Sequence, residues 1–163
     1  AEQFVRVDDF KKGKLHGGQK IGWQAVASVL VRCDVFINMP VFKHHREVGV
    51  TGALKKLMGC VWRRSTYHAV DLDGCIAELA ATLRPTLTIM DGTRILTTNG
   101  PDGPGKVATV NRMVLSVDPL LADAYACRWL ERDPLKIEHL TRAAKLGVGK
   151  IDVSKGMIER VKI

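Results

Sequence analysis

The sequence predicts a single α/β domain, three-layered, with a mixed or mostly parallel sheet. Three observations predict it. The order strand, helix, strand over 35–39, 71–83 and 86–90 reads as a right-handed crossover joining parallel strands. The helix between them has Leu72, Cys75, Ile76, Leu79 and Leu83 at helical spacing, with Asp71 as its cap and Arg84-Pro85 as its stop. The chain has 163 residues, 46% hydrophobic and 26% charged, which suits one core and argues against disorder.

In chain order, Gln3–Val7 alternates as a strand does, and Lys11–Gly22 reads as a Lys/Gly-rich loop. Ala25–Val31 is apolar and suits a short helix or a strand. Val35–Met39 is an apolar run closed by Pro40, read as a buried strand. Lys43–Glu47 is polar. Thr51 is placed to cap a short helix that ends at Gly59. After the 71–83 helix, Thr86–Met90 is a strand ending at Asp91-Gly92, and 93–106 is a Gly/Pro/Asn-rich loop. Val107–Val117 reads as one strand or a pair. Asp118-Pro119 opens a helix through Leu130, and Pro134 opens another through Lys145, stopped by Gly147. The tail, Ile151–Ile163, is short and mixed. No repeat, linker or low-complexity tract divides the chain, so residues 1–163 form one domain.

The net charge is +8, which favours anionic partners: phosphate esters, carboxylates or an acidic protein. Nucleic acid is not expected, because aromatic residues are only 6% and do not interleave with the basic ones. No apolar run approaches the roughly 20 residues of a membrane span. No leader opens the chain, so a cytoplasmic location is expected, although a chain starting at Ala1 can have lost an export signal. Cys33, Cys60, Cys75 and Cys127 include no C-x-x-C pair, which excludes ordinary ferredoxin and zinc-ribbon spacing. Reduced thiols are the expectation. Cys75 and Cys127 lie on apolar helix stripes and read as core, and Cys33 reads likewise. Cys60 lies beside the basic segment, where a thiolate would be stabilised.

Parallel strands put their C-terminal ends at one sheet edge, where α/β proteins commonly bind ligands. Lys43, His44 and His45 follow the first strand end and Asp91 the second; Asp118 would join them if the third strand were parallel. A helix beginning near Thr51 would offer free N–H groups to an anion, with Lys55 one turn inside it. Asp118 is also an ordinary N-cap. Asp123, inside the same helix, would need a cation if buried.

Several separated stretches, in order, resemble domain-of-unknown-function family 362. They are Asp34-Val35-Phe36-Ile37-Asn38-Met39-Pro40, Lys43-His44-His45, and Thr51-Gly52-Ala53-Leu54-Lys55-Lys56-Leu57-Met58-Gly59. Arg84-Pro85-Thr86-Leu87-Thr88-Ile89-Met90-Asp91, Asn99-Gly100-Pro101, and Asp118-Pro119 with Asp123 follow. The resemblance spans roughly 30–150 and looks like the C-terminal part of the family's domain. It departs at Lys56, where the family usually has Asn.

The resemblance implies iron–sulfur association, because many members carry a fused ferredoxin-type module that this chain lacks. It favours His45 over its neighbour as the residue facing the site. The candidates are therefore Lys43, His45, Lys55 and Asp91 as the reactive set, and Thr51, Lys56, His68, Asn99 and Gly100 as ligand contacts. Cys60, His45 and His68 are the candidate ligands for a transition metal or an iron–sulfur cluster. Three functions are expected in turn: a redox-associated protein with a metal or iron–sulfur centre; an enzyme or binding domain for a small anionic metabolite; and a non-catalytic subunit docking on an acidic partner. A ferredoxin-like partner and a homo-oligomer are the expected assemblies.

Overall fold

The computed structural model describes residues 10–14, 23–27, 30, 32–156 and 159. The Gln3–Val7 strand lies outside the described residues, as do all of 15–22 and parts of 28–31 and the tail. Strands β1 (Phe10–Lys14) and β2 (Trp23–Ala27) pair antiparallel. Thus Lys11–Lys14, expected in a loop, is strand, and the start of the 25–31 segment is strand too.

The main sheet has the order β3–β6–β7, from β3 (Ile37–Asn38), β6 (Leu87–Leu96) and β7 (Val107–Ser116). β3 runs parallel to β6, with Ile37 opposite Leu87, and β7 runs antiparallel to β6, with Ile89 opposite Leu115. The sheet is mixed, one of the two arrangements expected, and the parallel pair brackets the predicted helix. The antiparallel β7 moves Asp118 to the other end of the sheet.

A second pair, β4 (Lys43–His45) and β5 (Gly49–Thr51), forms a short hairpin beyond β3. It leads into α1 (Ala53–Lys56) and a 3₁₀ turn, Leu57–Cys60. Then come α2 (Thr66–Val70), which periodicity did not reveal, and α3 (Leu72–Thr82). Asp71 caps α3 as expected, accepting the Gly74 N–H at 3.0 Å. α4 (Pro119–Ala126) continues as a 3₁₀ turn to Leu130. The segment from Pro134 breaks into a 3₁₀ turn and α5 (Glu138–Lys145), ended by Gly147 at φ 70°.

The core lies on the inner face of the sheet. Met90 and Ile95 of β6 are fully buried there with Leu54, Leu57, Ile76, Leu79, Leu120 and Leu140. Phe42 meets Trp129 edge to face, with ring centroids 5.7 Å apart. The outer face is different. Val35, Ile37 and Met39, expected in a buried strand, are exposed, while Asn38 and Pro40 between them point inward. Side chains of a strand alternate between faces, and an apolar run does not say which face is covered.

Candidate binding cleft

The β4–β5 hairpin is the scaffold of the site. Lys43 pairs with Thr51 and His45 with Gly49, so Lys43 and Thr51 stand side by side. His45 is buried. Its Nδ1 accepts the N–H groups of Glu47 at 3.2 Å and Val48 at 3.3 Å, closing the turn between the strands. That fixes the tautomer: Nδ1 is the acceptor, so the proton sits on Nε2. Burial first, and then the nearby Lys55 ammonium, push the His45 pKa down to about 4. At neutral pH His45 is an uncharged N–H donor.

His44 points the other way, as adjacent strand residues must. Its Nδ1 accepts the Gly100 N–H at 3.2 Å, while Arg46 N–H donates to the Gly100 carbonyl at 3.0 Å. Lys43 Nζ donates to the Pro101 carbonyl at 3.2 Å. The loop between β6 and β7 is thereby tied to β4 and forms one wall of a cleft. Gly100 has no room for a side chain, since a Cβ there would lie 1.9 Å from the His44 carbonyl oxygen.

The cleft has a volume of about 780 Å³. Lys43, Arg46, Lys55, Lys56 and Arg64 line it, against only two carboxylates, Glu47 and Asp102. Glu47 is engaged by His68 Nδ1 at 2.9 Å. Lys55 lies at the centre of this charge. Burial depresses its pKa most; Glu47 opposes the shift, and Lys43 and Arg64 add to it. The Thr51 hydroxyl is buried and has no protein partner. Five cations, a neutral imidazole donor and a free hydroxyl suit a small anion.

The structure therefore gathers Lys43, His45, Thr51, Lys55, Lys56, His68 and Gly100 into one place. It leaves Asn99 and Asp91 out. Asn99 is exposed at φ 55° and turns its amide onto the Pro104 carbonyl at 3.2 Å. Asp91 sits opposite Met113, and its carboxylate accepts the Thr93 N–H at 2.7 Å and the Thr93 hydroxyl. Those bonds, the hydroxyl's first, hold its pKa below the usual carboxylate value.

Arg46 and Arg64 were not singled out from the sequence. Arg46 directly extends the Lys43-His44-His45 run, a local signal that could have been read. Arg64 reaches the cleft only through the fold.

Two further expectations change. Thr51 does not cap α1, and the helix end is not open to an outside anion. Asp123, fully buried in α4, accepts the N–H of Ala53 at 2.5 Å and of Leu54 at 3.0 Å. Its partners are these backbone donors rather than a lysine. Burial still pushes the carboxyl up to about 6, against the pull of those two hydrogen bonds and of His139. Asp118 is the N-cap it was expected to be, with Oδ1 accepting from Leu121 N at 2.9 Å; its Oδ2 accepts from Lys150 N at 2.8 Å.

The second change concerns cysteine. Burial raises the Cys60 thiol and outweighs the opposing Lys56 charge, so the thiolate is disfavoured. Cys60 does not line the cleft with His45 and His68, and His45 Nδ1 is already occupied by two N–H donors. Among the described residues no three His, Cys, Asp or Glu side chains converge as metal ligands. The donor set does not fit the iron–sulfur or transition-metal centre that the resemblance implied. Cys75 and Cys127 are buried as expected, whereas Cys33 is exposed.

Comparison with known proteins places the chain. Residues 2–128 match the family described as "Domain of unknown function (DUF362)". The chain belongs to this family. The match starts ahead of residue 30 and stops short of residue 150. A "Thylakoid-associated protein" of Synechocystis sp. is 29% identical over 123 residues, which cover 71% of this chain and 38% of the relative. This chain thus corresponds to well under half of that relative's length. No solved structure matches it. Among the described residues no helix is long and apolar enough to cross a membrane.

Proposed function

We propose that this DUF362 chain binds a small anionic metabolite, a phosphate or carboxylate, in the cleft between the β4–β5 hairpin and the 97–106 loop. One observation carries the reading: Lys43, Lys55, Lys56 and Arg64 converge with the neutral His45 on a single concave surface. Lys43, Lys55, Lys56 and Arg64 supply charge. His45 Nε2–H and the Thr51 hydroxyl supply directed hydrogen bonds.

Thermal denaturation with inorganic phosphate, pyrophosphate, acetate and citrate tests this. A ligand at about a hundred times its Kd stabilises the native state by about 3 kcal/mol, worth several degrees in a chain of this size. Multivalent anions also stabilise proteins by exclusion from the surface. Lys55→Ala, which shares that general effect, is therefore the control. The reading predicts a rise in Tm for at least one anion that Lys55→Ala largely removes. No rise with any of them, or an equal rise in Lys55→Ala, contradicts it.

A further inference from the structure

The outer face of the β3–β6–β7 sheet is apolar and in water. Ile37, Met39 and Val41 run along one side, and Met113, Leu115 and Val117 along the other, each between 46% and 78% exposed. Half-buried Leu87 and Ile89 of the central strand join them, since Ile37 pairs with Leu87 and Ile89 with Leu115. The patch is thus continuous across three strands. Antiparallel sheets commonly leave one face in water, but that face is then polar; here it is apolar, and among the described residues the helices pack on the inner face.

We propose that this face is the contact between two copies of the chain, packed sheet against sheet. Two features of the patch favour a second copy. By their fractional exposures the six side chains leave on the order of 600 Å² of apolar surface in water, at the top of what a typical monomer shows and more than the apolar share of a standard interface of roughly 800 Å² per partner. The second feature is charge. The chain carries +8, so two copies repel through most approaches. The ionisable side chains of β6 on this face lie towards its far end: Asp91, whose carboxylate is already bonded to Thr93, and beyond it the exposed Arg94, opposite Thr109. An isologous contact centred on Leu87, Ile89 and Leu115 leaves Arg94 several residues along β6, at its edge, and brings none of the cleft's lysines into the patch. Facing sheets about 10 Å apart interdigitate their inward side chains, and branched aliphatic residues with two methionines suit that packing.

Sedimentation of the 163-residue chain, from low micromolar to near-millimolar concentration, tests the proposal. The native chain is expected to form a defined dimer. Leu115→Lys on β7 and Met39→Lys beside β3 should each weaken it at least about a hundredfold, because every copy would bury an unpaired ammonium. Both side chains are more than half exposed, so circular dichroism and the melting curve of the monomer should not change. Arg64→Ala, in the cleft, should leave the dimer intact. A native chain that stays monomeric overturns the proposal and gives the face to another protein or to a segment of a longer chain. A dimer that survives both lysine substitutions, or aggregates of no defined size, overturns it equally.

Discussion

Replacing Asp123 with alanine should destabilise the fold more at pH 5 than at pH 8. Asp123 is fully buried and accepts the N–H groups of Ala53 and Leu54, which would lose this acceptor. Each buried donor left unsatisfied costs about 1–3 kcal/mol. Against that, the variant no longer holds a carboxylate out of water. The folded-state pKa of about 6 lies above the ordinary 3.8, so ionising Asp123 costs the native state more than the unfolded one. Its stabilising contribution is therefore fully present below pH 3.8 and is lost as pH rises through 6. The whole window is worth about 3 kcal/mol, of which about 1 kcal/mol falls between pH 5 and pH 8. Other carboxylates titrate in both proteins and cancel in the difference. Urea denaturation of native and variant chains at the two pH values measures it. The variant should lose about 2–5 kcal/mol at pH 5 and about 1 kcal/mol less at pH 8. An equal loss at both, or a larger one at pH 8, would refute the account of Asp123 as a buried cap strained by its own charge.

Two other outcomes follow from the same geometry. Gly52→Ala places a Cβ 2.1 Å from Asp123 Oδ1 and 3.1 Å from Phe42, so it should displace the cap and cost several kcal/mol in urea denaturation; a loss under about 1 kcal/mol would mean that Asp123 is not held there. His45 should show the Nε2–H tautomer by ¹⁵N NMR at pH 7 and take up a proton only as pH falls towards about 4. Because its folded pKa is depressed, the stability it confers is present above 6.5 and fades as pH falls through 4. Titration near 6.5 would show that the turn leaves Nδ1 free.

The cleft was legible where its residues are neighbours in sequence. Lys43 and His45 lie on one hairpin strand, and Lys55 and Lys56 follow closely, so local spacing was enough. Long-range contacts were not legible. Thr51 looks like a cap because Ser, Thr and Asp commonly are, but the cap comes from Asp123, some seventy residues away. Cys60 looks activated because of nearby cations, and burial wins instead. The α/β class and the β3–α3–β6 crossover were readable from periodicity. The extent of β6 was not, since strand pairing with β7 carries it through Asp91-Gly92 to Leu96. Val35–Met39 reads as buried because apolar residues occupy both faces, and nothing local distinguishes a covered face from an uncovered one.

The most direct test of the central claim is an NMR titration of backbone amides with inorganic phosphate and pyrophosphate. The account predicts saturable shifts that cluster at Lys43, Thr51, Lys55, Lys56 and Gly100–Gly103 and disappear in Lys55→Ala. Shifts spread over the basic residues outside the cleft, or none at tens of millimolar anion, a range far above typical metabolite KM values of about 1 μM–1 mM, would contradict it.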